Sequence, residues 1–518
     1  MKTLNITKLL GLLLLTATVL SCSDDILDKI NEDNSHPKSV DAKYILADVI
    51  TATAFSNTGG DLNTYLSTYV EHEVGIHNQL FRAETRAGEP SLATTFNNVW
   101  VNLYNTLKDA RIAISLCSDG GKQEGNNVTK GIAEVLAAYN SALITDIFGD
   151  APWSEASLVK DNGIPLNITP KIDKQEDIYK GIIMLLDEAI TDLQGDDIEN
   201  IGKYDLLYQG DKLKWIKFAY GLKARYTMRL LLKTSDKIDA YNKTLDYVSK
   251  SFTSVDEQAA FAIYDANNLN PLFDFQWSRD GLAASQSLAN KLIARDDPRL
   301  RRVFVDADWT QVAGVDDENY FPAPNGDPEQ VQYTYNTSAF VYSQTAPTLL
   351  LSYHELLFLK AEALARKNDP LAKKALEEAV IAAIANTEIN VAAAMSAPTV
   401  LSYDGLTEIT EAIDEIEATE YFNTKVAPLY DANPLQEVMI QKYLAFFGAS
   451  GESTECYNDV RRMKALGESF ITLANTRKFP LRCGYGNSDT TTNPAVDEAY
   501  GNGQYVYSEP VWWAGGVR

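Results

Sequence analysis

Cysteine is scarce in this chain of 518 residues. It has four, Cys22, Cys117, Cys456 and Cys483, and no two stand in a CxxC spacing. That excludes a disulfide-stapled miniature fold and a cysteine zinc site. Histidine is equally rare, also four. His72 and His77 flank a glycine at a spacing of five, so they do not share one helix face as the HExxH metal motif requires. A surface or loop role is expected for them, and no metal or cofactor is expected. Arg82, close by, is read as a salt-bridge residue before a ligand clamp.

Positive charge is also in short supply. Lys and Arg number 46 against 71 Asp and Glu. Two of the cations, Lys2 and Lys8, lie in the first 21 residues, so the net charge of −25 becomes −27 beyond them. Such a surface excludes nucleic acid as a partner of the body. Nucleophile-elbow, Walker and dinucleotide-fingerprint glycine patterns are missing, and the lone cysteines have no evident histidine partner. Past the first 20 residues no apolar run is expected to span a bilayer, which predicts a soluble, tethered body.

What is present begins at the N-terminus. Lys2 and Lys8 precede an apolar run from Leu9 to Leu20, shorter than the ~20 residues of a membrane span. Ser21-Cys22 ends the run as a bacterial lipobox does. We expect residues 1–21 to be a lipoprotein signal peptide and Cys22 to be the lipidated residue, anchored by its acyl chains. The alternative is an ordinary cleaved signal with an incidental cysteine. Ser23-Asp24-Asp25 resembles the acidic export signal of surface lipoproteins in the Bacteroides group. Residues 22–38 then read as a flexible polar stalk.

The body, 39–518, shows helical periodicity over about 39–250 and 349–466. Phe96, Val99, Trp100, Leu103, Tyr104 and Leu107 form one stripe, so Trp100 is a core residue, as are Trp215 and Phe218. Ile132 to Ile147 form another stripe, closed by Gly149 as a C-cap. Asp173 and Glu176 have capping-box spacing, and Asp211 is placed to cap a helix. Tyr353–Leu364 and Ala372–Ala383 flank an Asn-Asp-Pro turn, which predicts a helical hairpin. The fold class is therefore mainly α, a tetratricopeptide-like scaffold of helical hairpins without a clean repeat of ~34 residues. Regions 251–348 and 467–518 read instead as long irregular loops, with a strand-like run from Tyr335 to Ser343.

Six loop aromatics are the candidate ligand-binding residues: Trp277, Trp309, Tyr320, Tyr333, Tyr335 and Tyr342. A sugar ring presents an apolar C–H face that a flat aromatic covers, while amides and carboxylates take its hydroxyls. Glu355 and Glu362 have the look of paired carboxylates, but in so acidic a chain a structural role is the expectation. Asp316-Asp317-Glu318 lacks EF-hand spacing and reads as a solvated loop.

An ordered set of segments resembles the SusD/RagB family of nutrient-binding outer-membrane lipoproteins. It comprises the lipobox, Trp100-Val-Asn-Leu-Tyr104, Phe148-Gly-Asp-Ala-Pro-Trp-Ser-Glu155, and Trp215-Ile-Lys-Phe-Ala with Leu222-Lys-Ala-Arg225. Asp296-Asp-Pro-Arg-Leu300, Leu350-Leu-Ser-Tyr-His-Glu355 with Leu359-Lys-Ala-Glu-Ala363, Gln441 to Gly448, Tyr457-Asn-Asp-Val-Arg461 and Phe479-Pro-Leu-Arg482 follow in order. After Arg482 the chain departs from the commoner family pattern. The resemblance implies a SusD-like fold and a protein without catalytic activity, lipid-anchored in the outer membrane and facing the cell exterior. Such a protein would pass an oligosaccharide, or alternatively a peptide, to a SusC-like TonB-dependent transporter. A surface glycosidase is the less favoured reading.

Overall fold

The computed structural model describes residues 40–87, 93–160, 163–395 and 405–518. Cys22, the signal peptide and the stalk lie outside the described residues. From Ala42 to Arg518 the chain forms one unit, and it is mainly helical.

Helices pack as sequential hairpins. Asn97–Cys117 lies on Asn127–Phe148, which lies in turn on Gln175–Asp192. Lys212–Arg229 pairs with Lys237–Ser249, and Tyr353–Arg366 with Ala372–Met395. Each buries the apolar stripe that its periodicity predicts: Trp100, Trp215 and Phe218 are no more than 1% exposed. Asp211 caps Lys212–Arg229, accepting the Leu213 and Lys214 N–H groups at 3.0 and 3.3 Å. The capping box at Asp173 does not form. Asp173 instead accepts the N–H groups of Trp153 and Ser154, and Asp150 takes the Gln175 N–H at 2.8 Å.

Two helices, Asn127–Phe148 and Ala372–Met395, are long and apolar enough to cross a membrane by length and composition, which corrects the expectation of none beyond the N-terminal run. Asn127–Phe148 is apolar nearly all round because it is a core helix: its most apolar window is wholly buried. For Ala372–Met395 half of that window is buried.

A chain of buried charges ties the hairpins together. Arg225 forms a bidentate pair with Glu355, at 2.8 and 2.6 Å. Arg229 bridges Asp146 and Glu455, and Arg462 bridges Glu362 and Asp459. Burial opposes the charge on Glu362, but Arg462 and Arg366 together hold its carboxyl well below the usual range. Glu355 and Glu362 are thus engaged in structural ion pairs two turns apart on one helix.

The tail is pinned by Arg482, which is fully buried and donates to the Phe148 carbonyl at the end of Asn127–Phe148. Gly149 follows at φ 80°, and a Cβ there would lie 2.7 Å from the Arg482 guanidinium. Cys117, Cys456 and Cys483 are buried.

Eight short strands are described: β1 (Glu73–Gly75), β2 (Ala151–Pro152), β3 (Ile172–Asp173), β4 (Ala259–Phe261), β5 (Leu282–Ala284), β6 (Phe304–Val305), β7 (Thr337–Ser338) and β8 (Thr348–Leu351). They form four antiparallel pairs, β1–β5, β2–β3, β4–β8 and β6–β7. The Ala284 N–H also reaches the Asn336 carbonyl at 2.8 Å, linking β5 to the entry of β7. Of the run Tyr335–Ser343, only Thr337 and Ser338 are strand; Ala339–Tyr342 is a 3₁₀ turn.

Candidate ligand-binding site

The paired strands β5, β6 and β7 position a cleft. Trp277 and Asp280 stand just before β5, Trp309 just after β6, Tyr333 before β7 and Tyr342 just after it. With Gln276 these five residues line one open cleft of about 130 Å³. Trp277, Trp309, Tyr333 and Tyr342, separated by up to 65 residues in sequence, therefore converge on one place.

The rings hold one another in orientation. Phe273 stacks on Trp277 with centroids 5.7 Å apart and planes at 12°. Trp277 and Trp309 lie 6.1 Å apart, and Tyr342 meets Trp309 edge-on at 6.4 Å. Tyr333 is 72% exposed and forms the outer wall. Burial pushes the Tyr342 hydroxyl up to about 12, with the Asp280 charge adding to it, so it remains protonated and able to donate.

Polar groups are fixed as firmly. Gln276 accepts the Gly281 and Leu282 N–H groups at 3.2 and 3.1 Å and donates to Asp280 Oδ1 at 2.9 Å. Asp280 Oδ2 is buried, and the nearby Tyr333 N–H favours its carboxylate form. Burial raises the Asp280 carboxyl, with His77 drawing it back. The cleft thus offers flat rings beside one carboxylate side chain, the pairing that a sugar face and its hydroxyls require.

Three of its six lining residues are in the left-handed region without being glycine: Asp280 at φ 43°, Trp309 at 59° and Tyr333 at 55°. For bulky side chains this conformation is uncommon and is held only by surrounding bonds. Asp306 does so for Trp309, accepting the Asp308 and Thr310 N–H groups at 2.9 Å, while the Trp309 carbonyl takes the Thr407 N–H. Gln332 secures Tyr333 by donating to the Arg279 and Asp280 carbonyls.

The other two aromatic candidates are elsewhere. Tyr335 is buried, stacked on Phe321 at 5.1 Å, and its hydroxyl accepts the Glu329 N–H. Tyr320 is half-buried and does not line the cleft. Gln276 and Asp280 were not singled out by sequence; the only signal was the short polar run after Trp277. His72 is buried rather than on the surface, with Nε2 3.0 Å from the Tyr443 carbonyl. Arg82 is exposed, and among the described residues it makes no ion pair, contrary to the salt bridge expected.

Larger concavities exist. One of about 520 Å³ lies against Glu415–Asn423 and one of about 570 Å³ against residues 196–213, but neither is lined by a flat ring. A third, of about 390 Å³, has Phe55 among asparagines.

Comparison with known proteins agrees with this architecture. A family model described as "SusD-like_2: Starch-binding associating with outer membrane" matches residues 39–485. The chain is similar to a SusD/RagB family protein of Bacteroides thetaiotaomicron, at 56% identity and a TM-score of 0.88, covering 93% of this chain and 100% of that one. A chitin-binding protein shares the fold at 21% identity and a TM-score of 0.68, over 90% of this chain and 99% of its own. So does a SusD homologue of Bacteroides fragilis, at 19% identity and a TM-score of 0.66, over 92% and 99%. No curated protein sequence matches. A family model spanning most of the body and a relative more than half identical agree, and the chain belongs to the SusD-like family of outer-membrane-associated binding proteins.

Proposed function

We propose that this protein captures an oligosaccharide at the cell surface in the cleft of Trp277, Trp309, Tyr333 and Tyr342, and passes it unchanged to a SusC-like TonB-dependent transporter. The observation that carries the reading is the convergence of four aromatics, distant in sequence, beside Asp280 in one cleft. Trp277 and Trp309 supply the stacking faces, while Asp280 and Tyr342 address hydroxyls and Gln276 holds Asp280 in place. Cys22 holds the protein to the outer membrane, facing the exterior. Membership of a binding-protein family and the chitin-binding relative support a glycan as cargo. Catalysis is not part of the reading: Glu355 and Glu362 are committed to Arg225 and Arg462.

Isothermal titration of the mature protein against a glycan panel, with co-purification of its membrane partner, tests the proposal. Heat of binding for at least one glycan and recovery of a TonB-dependent channel are expected. Binding confined to a peptide library would point to peptide cargo. Silence toward glycans together with turnover of a labelled polysaccharide would overturn the proposal.

A further inference from the structure

In a chain with 71 acidic residues, unpaired cations gathered in one place are unexpected. Arg86 and Lys464 meet at the Phe479 ring, and Arg82, Arg477 and Lys478 are joined to Arg86 through their backbone carbonyls. Arg86 is buried; its guanidinium donates to the Arg477 and Lys478 carbonyls at 2.8 and 3.0 Å and lies 5.9 Å from the Phe479 ring. Lys464 Nζ stands 5.2 Å from the same ring. Arg82 precedes Arg86 by one turn, and its carbonyl takes the Arg86 N–H. Arg82, Lys464, Arg477 and Lys478 are exposed. Among the described residues none of the five has a carboxylate within the 4.0 Å of an ion pair. Elsewhere Arg301, Arg366, Lys373 and Lys425 all have one.

Among the described residues, the acids around the cluster form no ion pair with it. Glu71 spends both oxygens on the Ala474 and Asn475 N–H groups, each at 2.7 Å. Glu84 is pushed up to about 8 by burial, so it is largely uncharged at neutral pH. Asp327 and Glu329, on the loop that Glu84 holds through the Gly326 N–H, form no ion pair with the five. From Ser469 to Ser488 there is no acidic residue. Charges elsewhere on the body are screened beyond ~8 Å at physiological salt, so the local sign is positive despite the chain's total.

The cluster adjoins the aromatic cleft. The Ile76 N–H donates to the carbonyl of Gly281, next to Asp280 of the cleft, at 2.9 Å, and the helix Asn78–Thr85 starts directly after His77. At ~1.5 Å per helical residue, Arg82 lies about 8 Å along the chain from it. An oligosaccharide gripped at Trp277 and Trp309 has its next units within reach of this cationic ground. Guanidinium groups match planar carboxylates and sulfates with paired hydrogen bonds, and neutral hydroxyls do not need them.

We propose that the glycan is acidic, carrying uronate carboxylates or sulfate esters that Arg82, Arg477 and Lys478 engage where the chain leaves the cleft. This rests on the capture reading above. It also favours a glycan over an anionic membrane, because the cations border a recessed aromatic cleft built for a single chain.

Titration calorimetry with hexameric oligogalacturonate, a chondroitin sulfate hexasaccharide, maltohexaose and chitohexaose, beside vesicles containing phosphatidylglycerol, is the test. An acidic hexasaccharide is expected to bind more tightly than both uncharged ones and to weaken as salt rises. The R82A/R477A/K478A variant should bind it about tenfold less well, three partly exposed charge contacts together. Its melting temperature should be unchanged. Equal binding of uncharged and acidic hexasaccharides, indifferent to the triple substitution, would overturn this inference and leave the capture reading standing. No glycan binding at all would sink both. Vesicle binding with the acidic glycans silent would assign the cluster to lipid and overturn the inference.

Discussion

Glu355→Ala tests the buried charge chain, and its cost can be worked from the structure. Glu355 is 1% exposed and Arg225 4% exposed, and two hydrogen bonds join them. Deleting one partner of such a pair strands the other charge away from water, at about 3–5 kcal/mol. Here Glu455, 3.7 Å from Arg225 Nε, offsets part of that loss, so the expectation is about 3 kcal/mol. The unit from Ala42 to Arg518 has about 480 residues. At ~2.1 cal/mol/K per residue its unfolding entropy is roughly 1 kcal/mol/K, and the melting temperature should fall by about 3 °C. Differential scanning calorimetry reads this directly. Asp431→Ala, which removes a pair with Lys373 in which the side chains are 61% and 39% exposed, is the control and should shift the melt by less than about 1 °C. Equal shifts for the two variants would refute the reasoning that burial sets the strength of these pairs.

Trp309→Ala removes one stacking face. Roughly 100 Å² of ring and sugar surface at ~25 cal/mol per Å² is about 2.5 kcal/mol, or about sixtyfold in Kd by calorimetry. Burial pushes the Glu84 carboxyl from 4.5 to about 8. The folded protein keeps a proton that the unfolded chain releases, so its stability falls as pH rises from about 4.5 to about 8. Glu84→Gln, which cannot ionise, should melt with the wild type at pH 4 and above it at pH 8.5. Gly149→Ala places a Cβ against the Arg482 guanidinium at a φ of 80°. A loss of about 1–3 kcal/mol is expected, with faster proteolysis of the segment after residue 467.

The helical scaffold was legible because a helix that packs on its neighbours must repeat its apolar side chains every turn, as Trp100, Leu103 and Leu107 do. Local chemistry was readable where one side chain has one evident use, as at Asp211. It misled at Asp173, whose carboxylate is closer to the Trp153 and Ser154 amides than to the helix it precedes. Partners distant in sequence were illegible: nothing in the residues around Arg225 names Glu355, 130 positions away. Of the six loop aromatics, composition gave no means to separate Trp309 from Tyr335. Their fates differ because Trp309 and Tyr333 take left-handed backbone, which usually announces itself through glycine or asparagine and here does not. Asp280 was missed for the same reason. The cation cluster was invisible because Arg82 and Arg477 meet only in the fold.

The central claim is that Trp277 and Trp309 are where cargo is held. A crystal structure of the mature protein with its tightest-binding oligosaccharide tests this most directly. A sugar ring lying on Trp309 or Trp277 at about 4 Å, with a hydroxyl at the Asp280 side chain, is the predicted result. A sugar seated instead in the groove between Phe55 and Asn102, with the aromatic cleft empty, would contradict it.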